Sequence, residues 1–400
     1  MKFGILKERK IPVDRRVVFT PQELVRLKTE YKDAEIFVES SDIRVFSDYQ
    51  YADLGLQVVT DLSICDVLFG VKEVPVDALI PNKKYFFFSH TIKKQPYNRK
   101  LLAAILEKNI ELYDHETIVD EKNRRLIGFG RYAGIVGAYN GFRAFGLKFE
   151  LFNLPKAETL KSKDDLVSKL KRQTLPPIKI VLTGHGKVGN GAKEMLSGMK
   201  IKEVSVENFL YKIYSEPVFV QIDVLDYNKR IDGKILENND FYKNPSEYVS
   251  DFERFTKVSD IFMAGHFHAN ESPNILTQEM LLAADCKIKV VADISCDVNG
   301  PIACTIKAST IADPLFGYLP SENKEVLYTH PGAIVVMSVD NLPCELPKDA
   351  SEGFGEMFME HVIPAFFNND KDGILQRSKM TENGKLTERF AYLQDYVDGK

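Results

Sequence analysis

Apolar residues in the first 140 positions come in short runs set between segments of helical spacing. FGIL (3–6), EIFVE (35–39), DVLFGVKE (66–73), KYFFFSH (84–90) and NIELYD (109–114) read as strands, each short, apolar through its middle and bounded by polar residues. Runs apolar at consecutive positions belong to strands covered on both faces. Between them TPQELVRLKTEY (20–31) opens with a threonine cap and a proline at the first helical position, and NRKLLAAILEKN (98–109) carries helical spacing. This alternation predicts a mostly parallel sheet with crossover helices. YAGIVGAYNGFRAFGLK (132–148), apolar or small nearly all round, predicts a buried helix running between two domains.

A second alternation opens at IKIVLTG (178–184) and continues through IKEVSVE (201–207), PVFVQID (217–223), DIFMAGHF (260–267), KVVADISCD (289–297) and AIVVMSVD (333–340). NLPCELPKDASEGFGEMFMEHVIPAFF (341–367) reads as a helix crossing back to the first domain, and the charged, proline-flanked stretch 153–176 as a surface linker. Four hundred residues exceed what one core holds, so two domains are expected.

The strongest local motif is VLTGHGKVGNGA (181–192), where Gly184, Gly186 and Gly189 form GxGxxG between an apolar strand and a helix. The first glycine permits the tight turn, the second lets backbone approach a pyrophosphate, and the third allows close helix–strand packing; Lys187 and Val188 begin the helix whose N-terminus faces the anion. A carboxylate some twenty residues on should hold the adenosine ribose hydroxyls and repel a 2′-phosphate. Glu207 has that spacing and Asp223 is the alternative, so NAD is the expected coenzyme, with NADP as the second choice.

Composition narrows the remaining classes. An apolar fraction of 44% and a charged fraction of 28% are those of a soluble globular protein. A net charge of −4 without a basic block speaks against nucleic-acid binding. Five scattered cysteines (65, 286, 296, 304, 344) without a CxxC pair predict reduced thiols, no structural zinc and a cytoplasmic protein. No segment approaches the twenty apolar residues of a membrane span. His266 and His268 in GHFHAN share one strand face, but no Asp, Glu or Cys set completes a metal site, and none is expected.

GVKEVP (70–75), FFFSHTIKKQ (86–95), FGRYAG (129–134), DISCD (293–297) and SVDNLPCELPKDAS (338–351) occur in order around the glycine turn. This arrangement resembles the alanine dehydrogenase and transhydrogenase superfamily. Within it the chain looks most like lysine-forming saccharopine dehydrogenases and the lysine–2-oxoglutarate reductase half of aminoadipic semialdehyde synthase. The likeness runs from RRVVFTP (15–21) to ENGKLTERFAYLQ (382–394), and from the length a monofunctional enzyme without the saccharopine-oxidising half is expected. It implies an α/β fold of two Rossmann-like domains with parallel sheets and a cleft between them. The first would be discontinuous, 1–138 plus 345–400, and hold the substrate; the second, 139–344, would bind NAD.

The resemblance also implies roles. Lys72 and His90 would perform the proton transfers that imine formation, reduction and hydrolysis require. Saccharopine and 2-oxoglutarate are rich in carboxylates, so the site should be lined by cations. Arg16 and Arg125 match substrate-holding positions; Lys93 and Gln95 are further candidates, and Phe129 would wall the site. Asp293 or Asp297 would meet the nicotinamide ribose or substrate ammonium, with Asp293 favoured by the match, and Asp340 and Asn341 fit the nicotinamide side. The expected partners are small molecules (lysine, 2-oxoglutarate, saccharopine or a related amino acid), compatible with a homodimer. Two rival readings are an alanine dehydrogenase-like enzyme for a small amino acid and a non-catalytic dinucleotide sensor.

Overall fold

In the computed structural model, which describes residues 1–234, 238–269 and 271–400, the apolar runs of the first 115 residues lie side by side as one parallel sheet. Its strands are β1 (Lys2–Ile5), β2 (Glu35–Glu39), β3 (Gln57–Val59), β4 (Val67–Phe69), β5 (Lys84–Phe87) and β6 (Glu111–Asp114), in the order β3-β2-β1-β4-β5-β6. The order reverses between β1 and β4, and such a switch point leaves a crevice at the strands' carboxyl ends.

Helix α1 (Pro21–Glu30) begins as its sequence predicts. The Thr20 hydroxyl accepts from the Glu23 N–H and the Glu23 carboxylate takes the Thr20 N–H, a reciprocal cap. Helix α2 is Arg99–Glu107. This unit comprises Met1–Phe129 and Pro347–Lys400. The returning helix, α5 (Pro347–His361), drops Phe354 and Phe358 onto the sheet; Phe358 meets Phe19 and Phe69 edge-on at 5.6 and 5.7 Å.

The second unit is Gly130–Leu346, so all of helix α3 (Gly130–Lys148) goes with it. Its strands β7 (Lys179–Thr183), β8 (Lys202–Glu203), β9 (Val218–Ile222), β10 (Ile261–Ala264), β11 (Val290–Asp293), β12 (Leu315–Leu319), β13 (Lys324–Val326) and β14 (Ile334–Met337) take the order β13-β12-β14-β11-β10-β7-β9-β8. The stretch from β8 to β14 is parallel, and β12 and β13 close the far edge antiparallel. Here the switch point falls between β7 and β10. Helix α4 (Lys187–Gly198) packs against α3 through glycine: a Cβ on Gly134 would run into the Val188 carbonyl, and one on Gly191 into that of Arg131.

Five segments differ from the sequence expectation. IKEVSVE is a two-residue strand followed by a helix (Val206–Tyr211), because the Ser205 hydroxyl accepts from the Asn208 N–H and caps a turn there. The stretch expected as linker contains a helix, Lys163–Lys171, with Leu166 and Leu170 buried. The edge strands β12 and β13 and the short β3 had no counterpart in the sequence pattern.

Candidate functional site

The carboxyl ends of β1, β4, β5 and β6 carry a dense set of charged groups in the first unit. His90 follows β5 with φ of 54°, a left-handed conformation uncommon outside glycine, and Asp114 at the end of β6 holds its N–H at 3.1 Å. Two residues on, the Glu116 carboxylate lies 3.2 Å from His90 Nδ1, 3.3 Å from Lys93 Nζ and 3.7 Å from Arg125 Nη1. Burial alone would push Glu116 up; the hydrogen bond with His90 and the charges of Lys93 and Arg125 outweigh it and hold the carboxyl at about 2. An ionised carboxylate can only accept, so Nδ1 carries the proton and Nε2 is the nitrogen left to exchange one. Nε2 lies 4.0 Å from Glu73, whose carboxylate is bridged by Lys10 Nζ at 2.7 and 2.8 Å.

Lys72 leaves the end of β4. Its main-chain N–H and that of Val71 are both held by the buried Glu8 carboxyl at the end of β1. Lys72 also contributes positive charge to Asp14, which is locked to Arg16. Arg16, 3% exposed, gives Asp14 a two-pronged bond at 3.0 and 2.5 Å and stacks its guanidinium 4.2 Å above the Phe129 ring. Phe129 in turn stacks on Phe354 at 4.2 Å. Burial pushes Asp14 up, but Arg16 and Lys72 overcome it and hold the carboxyl at about 2. Arg125 lies 5.2 Å over the Phe88 ring although it is exposed, as are the neighbouring Arg15 and Arg124.

The structure therefore brings Lys72, His90, Arg16, Arg125, Phe129 and Lys93 into linked contacts at one end of one sheet. Gln95 is turned elsewhere: its side chain accepts from the Tyr97 hydroxyl and its carbonyl from Tyr396. Sequence reasoning missed Glu8, Asp14, His115 and Glu116. The signal was present in the placement of ERK and DHE directly after β1 and within the end of β6, where acids have no packing reason to collect. His115 is wholly buried, its Nε2–H donating to the Gly70 carbonyl at 2.8 Å, and burial pushes it down to about 3.

In the second unit a cavity of about 530 Å³ opens over the glycine turn, lined among others by Gly184, Gly186, Lys187, Val188, Asp223 and Asp297. Gly184 has φ of +93° and a Cβ there would lie 2.6 Å from the Gly265 carbonyl; a Cβ on Gly189 would strike the Gly184 carbonyl. By contrast nothing lies within 4 Å of where a Cβ on Gly186 would sit. Glycine at 186 thus keeps open a space that the protein itself does not fill, in front of the first N–H groups of α4. That is the cradle a pyrophosphate needs, and the residues fit a dinucleotide.

Of the two acids weighed for the ribose, Asp223 lines this cavity at the end of β9, while Glu207 is exposed in the first turn of the helix 206–211 and is not among the lining residues. The reason is topological. The strand beside β7 is β9, not β8, so the acid at the neighbouring strand's end comes later in the chain. Asp293 is buried and committed inward, accepting from Ser295 Oγ at 2.6 Å, Thr305 Oγ1 at 2.7 Å and the Cys296 N–H at 3.0 Å; Asp297 is the acid at the cavity. Asp340 and Asn341 stand outside the lining, with Asn341 leading into a short 3-10 turn. His266 bonds Thr183 Oγ1 through Nδ1 at 2.7 Å, and burial pushes it down to about 3. Among the described residues no group of three or more His, Cys, Asp or Glu side chains forms a metal site, and no helix is long and apolar enough to cross a membrane.

Residues 4–136 match the family model of the alanine dehydrogenase/PNT N-terminal domain. The fold of a solved L-alanine dehydrogenase covers 100% of this chain and 99% of that one with a TM-score of 0.64, at 15% identity. The fold is that of solved L-alanine dehydrogenase and transhydrogenase structures, with Rossmann-like α/β units. Curated proteins similar to this chain along most of its length are named alpha-aminoadipic semialdehyde synthase and saccharopine dehydrogenase. It is 27% identical to the alpha-aminoadipic semialdehyde synthase of Arabidopsis thaliana over 98% of this chain, and spans 41% of that relative's length. It is 25% identical to the NAD+, L-lysine-forming saccharopine dehydrogenase of Yarrowia lipolytica, over 88% of this chain and 89% of the relative.

Proposed function

We propose that the protein is an NAD-dependent oxidoreductase of the saccharopine dehydrogenase type, interconverting saccharopine with L-lysine and 2-oxoglutarate. The observation that carries this reading is the cluster at the strand ends of the first unit, in a chain similar along most of its length to an enzyme of that name. Unit one is assigned the substrate and the proton transfers, unit two the coenzyme.

A bound nicotinamide dinucleotide supplies or accepts the hydride at the substrate carbon. The glycine turn and the N-terminus of α4 hold its pyrophosphate, and the Asp223 carboxylate hydrogen-bonds the ribose hydroxyls and disfavours a 2′-phosphate. Arg16 and Arg125 bind substrate carboxylates. The two-pronged bond of Arg16 to Asp14, and for Arg125 the Nε–H bond to the Ile127 carbonyl with the Glu116 charge 3.7 Å away, hold the guanidinium groups against Phe129 and Phe88 before substrate arrives. His90 Nε2, with Nδ1–H anchored on Glu116, takes a proton from or returns one to the reacting nitrogen or oxygen, and Lys72 Nζ does the same on the other leg.

The test is a substrate panel. NADH oxidation is followed with 2-oxoglutarate plus lysine, then with pyruvate plus ammonia. Turnover with the first pair alone is expected. Turnover with the second pair alone would make the protein an alanine dehydrogenase-like enzyme. Binding of NADH without turnover on any pair would make it a sensor.

A further inference from the structure

The segment Gly70–Lys72 leaves β4 at the sheet's switch point, and side chains from two other strand ends pin its main chain. From β1, Glu8 accepts the Val71 N–H on Oε1 at 2.7 Å and the Lys72 N–H on Oε2 at 2.8 Å. From the end of β6, His115 Nε2–H donates to the Gly70 carbonyl at 2.8 Å. The Val71 carbonyl accepts the Phe88 N–H at 3.0 Å. Two N–H groups directed at one carboxyl group need an acceptor at each oxygen. An ionised carboxylate meets that demand with two strong acceptors; a protonated carboxyl keeps one strong acceptor and a weak hydroxyl one, and an amide sets an NH2 donor against the second N–H.

We propose that Glu8 is a positioning residue for Lys72: by accepting both amide hydrogens its carboxylate fixes the point from which the Lys72 side chain departs. The inference rests on the reading of Lys72 as a proton-transfer group. The charged groups around Glu8 are Lys7, Arg9, Asp14 and Arg16 from the loop after β1, with Lys72 and Glu73 on the β4 side, the latter bridged by Lys10. Burial, and then the charge of Asp14, push the Glu8 carboxyl up to about 7 against the pull of the two amide bonds and Arg16. The clamp therefore opens as pH falls through neutrality.

Glu8→Gln copies the protonated side chain in shape and is the first variant. Two quantities are measured in the holoenzyme with NADH bound: turnover from about pH 5.5 to about pH 8.5, and amide hydrogen exchange of the peptide spanning Val71 and Lys72. At the alkaline end the wild type is expected to exceed Glu8→Gln roughly tenfold, the effect of one mispaired amide, and the ratio should shrink toward one as the wild-type clamp protonates. Exchange at the two amides should be about tenfold faster in the variant at about pH 8. Glu8→Asp keeps the charge but is one methylene too short to span both amides; it serves if Glu8→Gln does not fold, with the same faster exchange expected. A ratio that stays constant with pH, or unchanged exchange at the two amides, overturns the proposal. Full turnover by Lys72→Met with wild-type exchange at these amides would instead remove the reading of Lys72 and leave the clamp standing.

Discussion

At the scale of single residues, the first unit's site is a set of acids that hold bases in place. Glu116 fixes the tautomer of His90, Asp14 fixes the plane of Arg16, and Glu8 holds the main chain beneath Lys72. Lys72→Met and His90→Gln should each lower turnover by roughly 10²–10⁴-fold, the usual worth of a positioned acid or base. NADH affinity, read by fluorescence titration, should stay within about twofold, since neither residue belongs to the unit with the glycine turn. An equal loss of both quantities would make the two residues structural. The sequence revealed the bases and not their partners. FFFSHTIKKQ and GVKEVP draw the eye as motifs, but Glu8, Asp14 and Glu116 gain meaning only when four strand ends are laid side by side.

At the scale of elements, the glycine turn was legible because strand, turn and helix are contiguous. GxGxxG, the apolar run before it and the helical spacing after it are all local facts, and the structure places β7, the turn and α4 as expected. Gly189→Ala gives this a direct test. The new methyl would strike the Gly184 carbonyl, which belongs to backbone and cannot swing aside, so the turn must shift. The expected result is at least a tenfold weaker NADH affinity together with a lowered melting temperature; wild-type affinity would mean that the turn does not hold the coenzyme. The acid at the cavity was not legible in the same way. Counting residues from the turn points at Glu207, yet that count assumes that the next strand in the chain is the next strand in the sheet. Here Ser205 caps a helix after two residues of β8, β9 takes the place beside β7, and Asp223 arrives at the cavity instead.

At the scale of the whole molecule, buried titratable groups give stability a predicted pH dependence. Burial raises Glu8 and Glu345 to about 7 and Glu23 to about 8, so the folded chain keeps these protons above the pH at which the unfolded chain has lost them. A raised carboxyl contributes stability that is full below its unfolded value near 4.5 and is lost as pH rises through its folded value. His115 and His266, pushed down to about 3, are neutral in the folded chain, and their unfolded imidazoles lose the rest of their protons between about pH 6.5 and 7.5, which adds a smaller slope of opposite sign. Between about pH 6.5 and pH 8 the three glutamates outweigh the two histidines. Calorimetry should show the melting temperature falling by on the order of 5 °C across that interval, from roughly 2 kcal/mol of lost stability. A melting temperature that rises over the same interval would contradict the burial of these carboxyls as charged-state liabilities.

What the chain's order of residues determined by itself is everything decided within about a dozen positions. That includes the two runs of strand–helix alternation, the reciprocal cap at Thr20, the glycine turn, and the pairing of an aromatic strand with a histidine at its end. These follow from local periodicity, capping and backbone freedom, which do not depend on distant partners. What only the tertiary structure decided is adjacency between distant segments: β9 rather than β8 beside β7, Asp223 rather than Glu207 at the cavity, Asp293 turned inward, and Glu8 set beneath Lys72. The physical reason is that burial and hydrogen-bond satisfaction are settled jointly by whichever strands end up side by side, and no local pattern encodes that choice.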